Sequence, residues 1–127
     1  RRFIITDSNG VEVLKIQEKL FRFQPTFEFY QNNERIYTLK KKWFHLRPTY
    51  VFEGMDLTIS GSIWLHQYQF EKDADIVAEV SKKWLSWGDV YYLDVKDESL
   101  AMPIIGAVIM IDCVLASQAA AHHSSSN

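Results

Sequence analysis

Cysteine is almost absent from this sequence: the single thiol, Cys113, cannot close an internal disulfide, and it gives no support for an oxidising compartment. An excess of positive charge is missing too. Fourteen Lys and Arg stand against sixteen Asp and Glu, a formal charge of −2, which argues against a dedicated nucleic-acid binder and leaves any basic patch local. No succession of basic, apolar and small residues near Arg1 marks a secretory signal, so the cytoplasm is the expected location. Catalytic signatures are lacking as well: there is no GxSxG, GxGxxG or Walker-type loop, and SGS at 60–62 reads as a turn. Nor is there HxH, HExxH or CxxC spacing. His45 and His66 fall on separate predicted strands and His122 and His123 in the tail. Cys113 sits in an apolar run beside Asp112 with nothing electropositive nearby, the setting of a buried, inert thiol. The expectation is a non-enzyme with no catalytic residue, metal or cofactor.

What is present is core-forming material. Hydrophobic residues make up 47% of the 127 positions and aromatic residues 14%, enough for one compact domain with a sizeable core. A repeat organises it: KWFHLRPTYVF at Lys42–Phe52 resembles KLFRFQPTFEF at Lys19–Phe29 and, more loosely, KWLSWGDVYYL at Lys83–Leu93. Similar arms, VLKIQE, IYTLKK and VAEVSK, precede the copies. The arms alternate with the two-residue period of a half-buried strand: Leu14, Ile16 and Leu20, then Tyr37, Leu39 and Trp43, then Ala78, Val80 and Trp84 face inward. Lys19, Lys42 and Lys83 therefore face outward together. Turn clusters DSNG, QNNE, SGS, KDAD and SWGD punctuate the arms and predict an all-β meander. Its strands are expected at 3–6, 11–19, 26–30, 35–42, 49–52, 56–60, 64–71, 76–83 and 90–95.

The C-terminal run LAMPIIGAVIMIDCVLA at Leu100–Ala116 breaks this rhythm, being apolar on nearly every side of a helix. At roughly 16 residues, about 24 Å, it falls short of a usual transmembrane span. Strands curled around it would bury it and remove sheet edges. Asp97, Glu98 and Ser99 suit its N-terminus, and Pro103 is tolerable only near the first turn. Asp112, near its end, must find donors such as a wall Tyr or Trp or a backbone amide. The domain is read as 1–117, and 118–127 as a low-complexity, frayed tail.

SKKWLSWGDVYYLDV, followed by an apolar helix ending IMIDCVLA, resembles the bacterial branch of the LURP-one-related family in the tubby C-terminal-like superfamily. The likeness runs over nearly the whole chain, and the SWGD turn and IDCVL helix end are its most specific parts. It implies a mainly β fold, a tubby-like antiparallel β-barrel, commonly twelve-stranded, wrapped around a buried hydrophobic C-terminal helix. In relatives a further arm usually precedes the stretch matching RRFIITDSNG, so the resemblance implies that the first strand or two is lacking here. Plant relatives are associated with pathogen defence, tubby domains bind phosphoinositides, and phospholipid scramblases look like distant relations. No motif here aligns with the tubby phosphoinositide residues, and a shared fold does not by itself carry function.

The remaining functional candidates are the basic-aromatic segments. Lys19, Lys40, Lys42, Arg47, Lys82 and Lys83, with Trp43, Trp84 and Trp87 nearby, would suit the interface of an anionic phospholipid bilayer. The bland alternative is solvated lysines that protect strand edges, with the tryptophans in the core. Nucleic acid is disfavoured by inward aromatics and negative net charge. Weak anionic-phospholipid binding by a cytoplasmic protein peripheral to the membrane is the expectation. The alternative is a scaffold or protein-interaction domain with an unknown protein partner and no lipid role. Carriage of a small apolar ligand is disfavoured because the helix should fill the barrel.

Overall fold

The computed structural model describes residues 1–20, 22–44 and 46–125. Nine strands form one antiparallel sheet in chain order: β1 (Arg2–Thr6), β2 (Glu12–Glu18), β3 (Thr26–Gln31), β4 (Glu34–Phe44), β5 (Arg47–Glu53), β6 (Leu57–Ser62), β7 (Gln67–Lys72), β8 (Asp75–Leu85) and β9 (Gly88–Val95). The predicted meander is therefore present strand for strand. Its one misplaced start is at Ile63–Leu65, which forms a 3₁₀ turn ahead of β7.

Register puts the alternating apolar residues in layers. Phe27 pairs with Leu39, Leu39 with Phe52 and Phe52 with Leu57, and all four are fully buried. The helix α1 (Ala101–Ser125) supplies the filling, burying Ile104, Ala107, Met110, Ile111 and Val114 against Leu14, Ile16, Phe29, Phe70 and their neighbours. Before it, the Asp97 carboxylate accepts from the Ser99 amide and hydroxyl, the N-terminal role its position suggested. Pro103 lies in the first turn, where its missing N–H costs nothing.

Two features of the helix differ from the sequence reading. It continues through Ser125, because a run already nucleated in the core extends readily through Ala119, Ala120 and Ala121. At 25 residues, about 37 Å, it is long and apolar enough to cross a membrane, but here its apolar face forms the core of the sheet. Second, Ile109 is 40% exposed rather than enclosed. The cause is the open seam of the barrel: β1 and β9 are the sheet edges and are not hydrogen-bonded to each other. Asp112 reaches Tyr91 of β9, while the Cys113 thiol feels the charge of Arg1 beside β1. Ile109, one turn before them, faces the gap between.

Gly106 marks the tightest approach of helix to sheet. A Cβ there would lie 2.9 Å from Leu14 Cδ2 and Phe29 Cε2 and 3.1 Å from Ile16 Cδ1, all core atoms. Overpacking costs about 1–3 kcal/mol, against a helix-propensity gain of about 1 kcal/mol. Gly106→Ala is therefore expected to destabilise by about 1 kcal/mol, read as a lower urea midpoint, and Gly106→Leu to prevent folding.

Candidate functional site

In a meander the connections alternate between the two ends of the sheet, and here they divide by chemistry. One end carries the β1–β2, β3–β4, β5–β6 and β7–β8 turns, with Asp7, Asn9, Asn32, Asn33, Asp56, Asp73 and Asp75. The opposite end carries the β2–β3, β4–β5, β6–β7 and β8–β9 connections, and there Leu20, Phe23, Leu46, Trp64, Leu65 and Trp87 are exposed. Arg1, Lys19, Arg22, Lys42, Arg47 and Lys83 lie at this same end, and α1 runs toward it. The result is an aromatic, basic end opposite an acidic one.

Trp43 and Trp84, expected in the core, belong to the aromatic end: they are 53% and 67% exposed. Both keep the inward phase of their strands, Trp43 continuing Leu39 and Lys41, and Trp84 continuing Val80 and Lys82. Yet β4 and β8 are each 11 residues long, and their last inward positions lie past the packed interior. Leu20, also expected inward, lies beyond the end of β2 and is exposed.

The inward positions two residues before those tryptophans are the ones enclosed. Lys41 is 4% exposed, pairs with Tyr50 across the ladder, and holds its Nζ 5.1 Å from the Trp43 ring centroid. Burial pushes its ammonium below the usual lysine range. Lys82, expected on the exposed rim, has a side chain only 8% exposed. Its Nζ lies 3.3 Å from Asp89 and 3.7 Å from Asp112, and 4.2 Å from the Trp84 centroid. Two carboxylates and an aromatic face hold it, so it is not available as a lipid contact.

The other expected lipid residues divide. Lys40 pairs with Glu53 at 3.3 Å and Lys19 with Glu28 at 3.8 Å, while Lys83 lies over the Tyr92 ring. Lys42 and Arg47 are exposed and have no carboxylate partner among the described residues. A groove of about 490 Å³ is lined by Arg22, Phe23, Lys40 and Lys42 together with Glu28 and Glu53. His45 lies outside the described residues.

A polar chain beneath this end joins β9 to α1 and to the 3₁₀ turn. The Tyr91 hydroxyl donates to the Asp112 carboxylate, the wall tyrosine that Asp112 required, and also lies 3.1 Å from His66 Nδ1. Burial, then the bond to Asp112, pushes the Tyr91 phenol far above its usual range. His66 closes the 3₁₀ turn in the left-handed region at φ 55°. Burial, seconded by the charge of Lys82 and opposed by Asp112 and Asp89, holds its imidazole below the usual histidine range. Cys113 is half-buried, and burial raises its thiol, so it stays protonated at neutral pH. Among the described residues no group of three or more His, Cys, Asp or Glu is arranged to hold a metal.

The lowered His66 value has a consequence for stability. The unfolded chain takes up a proton near pH 6.5 while the folded one resists it, so stability present above that pH is lost as pH falls toward the folded value. His66→Asn, which tolerates the left-handed backbone, should reduce the loss of Tm between pH 7.5 and 5.5 by on the order of a few degrees. Thermal melts across that range check it.

The LURP-one-related family model matches residues 1–112, from the first strand well into the core helix. The chain belongs to the LURP-one-related family. Within that range fall the aromatic end and the Tyr91–Asp112 pair. The chain is also similar to the uncharacterized protein YxjI of Bacillus subtilis (strain 168), 32% identical over 111 residues, covering 87% of this chain and 68% of that protein. No solved structure gives a significant match to this LURP-one-related chain.

Proposed function

We propose that this LURP-one-related domain is a non-catalytic binding module that docks on anionic phospholipid surfaces through its aromatic end. One observation carries the reading: exposed Trp43, Leu46, Trp64, Leu65, Trp84 and Trp87 share one end with Lys42, Arg47 and Lys83, while the opposite end is acidic. Tryptophan and leucine side chains partition into the headgroup region, and lysine and arginine stems reach past them to phosphate. The acidic end is repelled by the same surface, so the charge asymmetry orients the molecule as well as attracting it. This reading goes with a cytoplasmic protein peripheral to the membrane, since anionic lipid concentrates on the cytoplasmic leaflet.

The test is co-sedimentation with vesicles of phosphatidylcholine alone and with added phosphatidylserine, across a salt series. Pelleting with the anionic vesicles at low salt, released as salt rises, is the expected result. A protein left in the supernatant at low salt with both vesicles overturns the proposal. A protein-interaction role is the second reading, favoured by the open seam, where Ile109 and the edge residues Ile4 and Tyr92 are exposed. It predicts a specific partner whose binding is blocked by charges placed at Ile4 and Tyr92 and is indifferent to vesicles.

A further inference from the structure

The three repeated arms each end on one inward-facing charge: Glu18 in β2, Lys41 in β4 and Lys82 in β8, the residues just before Lys19, Lys42 and Lys83. Folding gives two of them a counter-charge from within the chain. Glu18 takes Arg1 at 2.8 Å, and Lys82 takes Asp89 and Asp112. Lys41 takes none. All sixteen Asp and Glu belong to the described residues, and none of them pairs with Lys41. Burial alone acts on its amine, with no neighbouring charge to offset it. A buried ammonium without an opposite charge is costly, and a charge held in that state is a candidate for binding.

Lys41 is also placed to receive an anion. Its Nζ lies 5.1 Å from the centre of the Trp43 ring, which is half exposed, so the ammonium stands beside the rim of the aromatic end. The stretch from Lys40 to Phe52, which forms the β4–β5 hairpin, contains no carboxylate. Lys42 and Arg47 add positive potential there, and exposed Leu46 at the hairpin tip offers apolar surface.

We propose that Lys41 binds the phosphate of one anionic phospholipid, the counter-charge that the chain does not supply, with the lipid's apolar part against Trp43 and Leu46. The exposed Trp43 ring gives way as the phosphate takes its place over the ammonium, exchanging a cation–π contact for a charge-assisted hydrogen bond. The proposal rests on the docking reading above and sharpens it: contact with the bilayer includes a one-to-one site on the β4–β5 hairpin as well as attraction to a charged surface.

The test uses monomeric dihexanoylphosphatidylglycerol, inorganic phosphate, and vesicles of phosphatidylcholine with phosphatidylglycerol. Lys41→Met keeps nearly the volume of the buried stem and removes its charge, while Lys96→Met removes an exposed charge beyond β9, at the acidic end. By isothermal titration calorimetry the wild type should bind the monomeric lipid saturably at one site, and inorganic phosphate at least about tenfold more weakly for want of apolar contact. Lys41→Met should lower lipid affinity at least about tenfold yet melt a few degrees above the wild type, because an uncompensated buried charge is gone. Lys96→Met should bind as the wild type does. A lysine that merely packs gives the opposite pattern, a lower melt with unchanged binding. Wild-type protein that pellets with the anionic vesicles but shows no one-site binding of the monomer, equal affinity for inorganic phosphate, undiminished binding by Lys41→Met, or an equal loss in Lys96→Met would each overturn the Lys41 site and leave docking standing. Failure to pellet at low salt overturns docking itself, and the lipid site with it.

Discussion

Ile104→Asp is expected to leave no folded protein. Ile104 is fully buried within the sheet, and a carboxylate there meets only apolar neighbours such as those around Met110 and Ile111. An unpaired buried charge costs several kcal/mol even after it takes up a proton, and the same change removes a buried side chain worth about 2–5 kcal/mol. Set against a total stability of about 5–15 kcal/mol, the sum is enough to unfold the domain. Ile109→Asp is the contrasting case. Five residues further on, it points into the seam at 40% exposure, and its carboxylate keeps its water, so a soluble protein with a cooperative melt is expected. Circular dichroism and solubility of the two variants compare the faces of one helix directly. A folded Ile104→Asp protein would mean that α1 is not the core.

Lys42→Glu combined with Lys83→Glu should lower affinity for anionic vesicles by well over tenfold at low salt while sparing the fold. Both residues occupy equivalent outward positions of the repeated arms, opposite Thr49 and Val90, and neither has a carboxylate partner among the described residues. A lysine near an anionic surface contributes about 1 kcal/mol, and reversal replaces attraction by repulsion, so the pair changes binding by at least about 2 kcal/mol. The effect should fade as salt shortens the screening length. Trp43→Ala and Trp84→Ala extend the test. Because both rings are largely exposed, their removal should cost little stability and instead weaken vesicle binding. Lys82→Glu behaves differently, for it would place a third carboxylate beside Asp89 and Asp112 and destabilise the protein itself.

Most of the fold was legible in the sequence because the physical signals were local. Two-residue alternation and turn clusters located all nine strands, and an all-round apolar run located the helix that they enclose. The repeat correctly made Lys42 and Lys83 equivalent. It misjudged their neighbours, because alternation gives the face of a residue but not the depth at which the core stops. Lys41 and Lys82 end the packed part of β4 and β8, and Trp43 and Trp84 lie beyond it. The division of turns between ends was written in the sequence as alternating character, Asn32-Asn33 and Asp73 against Trp64 and Trp87. It becomes visible only once strand count fixes which turns share an end. That Lys41 goes without a counter-charge had no sequence signal, since folding alone brings Asp112 to Lys82 and leaves Lys41 with none.

The order in which the core is assembled along the chain sets a condition on biosynthesis. Every strand pairs with the next in sequence, so hairpins can form as the chain emerges, yet the residues that fill the sheet, Ile104 to Val114, are made after all nine strands. Until they leave the ribosome, Phe27, Phe29, Phe52 and Phe70 have nothing to pack against, and the nascent sheet presents a greasy concave surface. Such a chain should engage holding chaperones late in translation and release them abruptly when α1 inserts. A stop codon a few positions before Leu100 would therefore cost the cell more than the missing residues, leaving an adhesive product where a chain carrying α1 would have covered that surface.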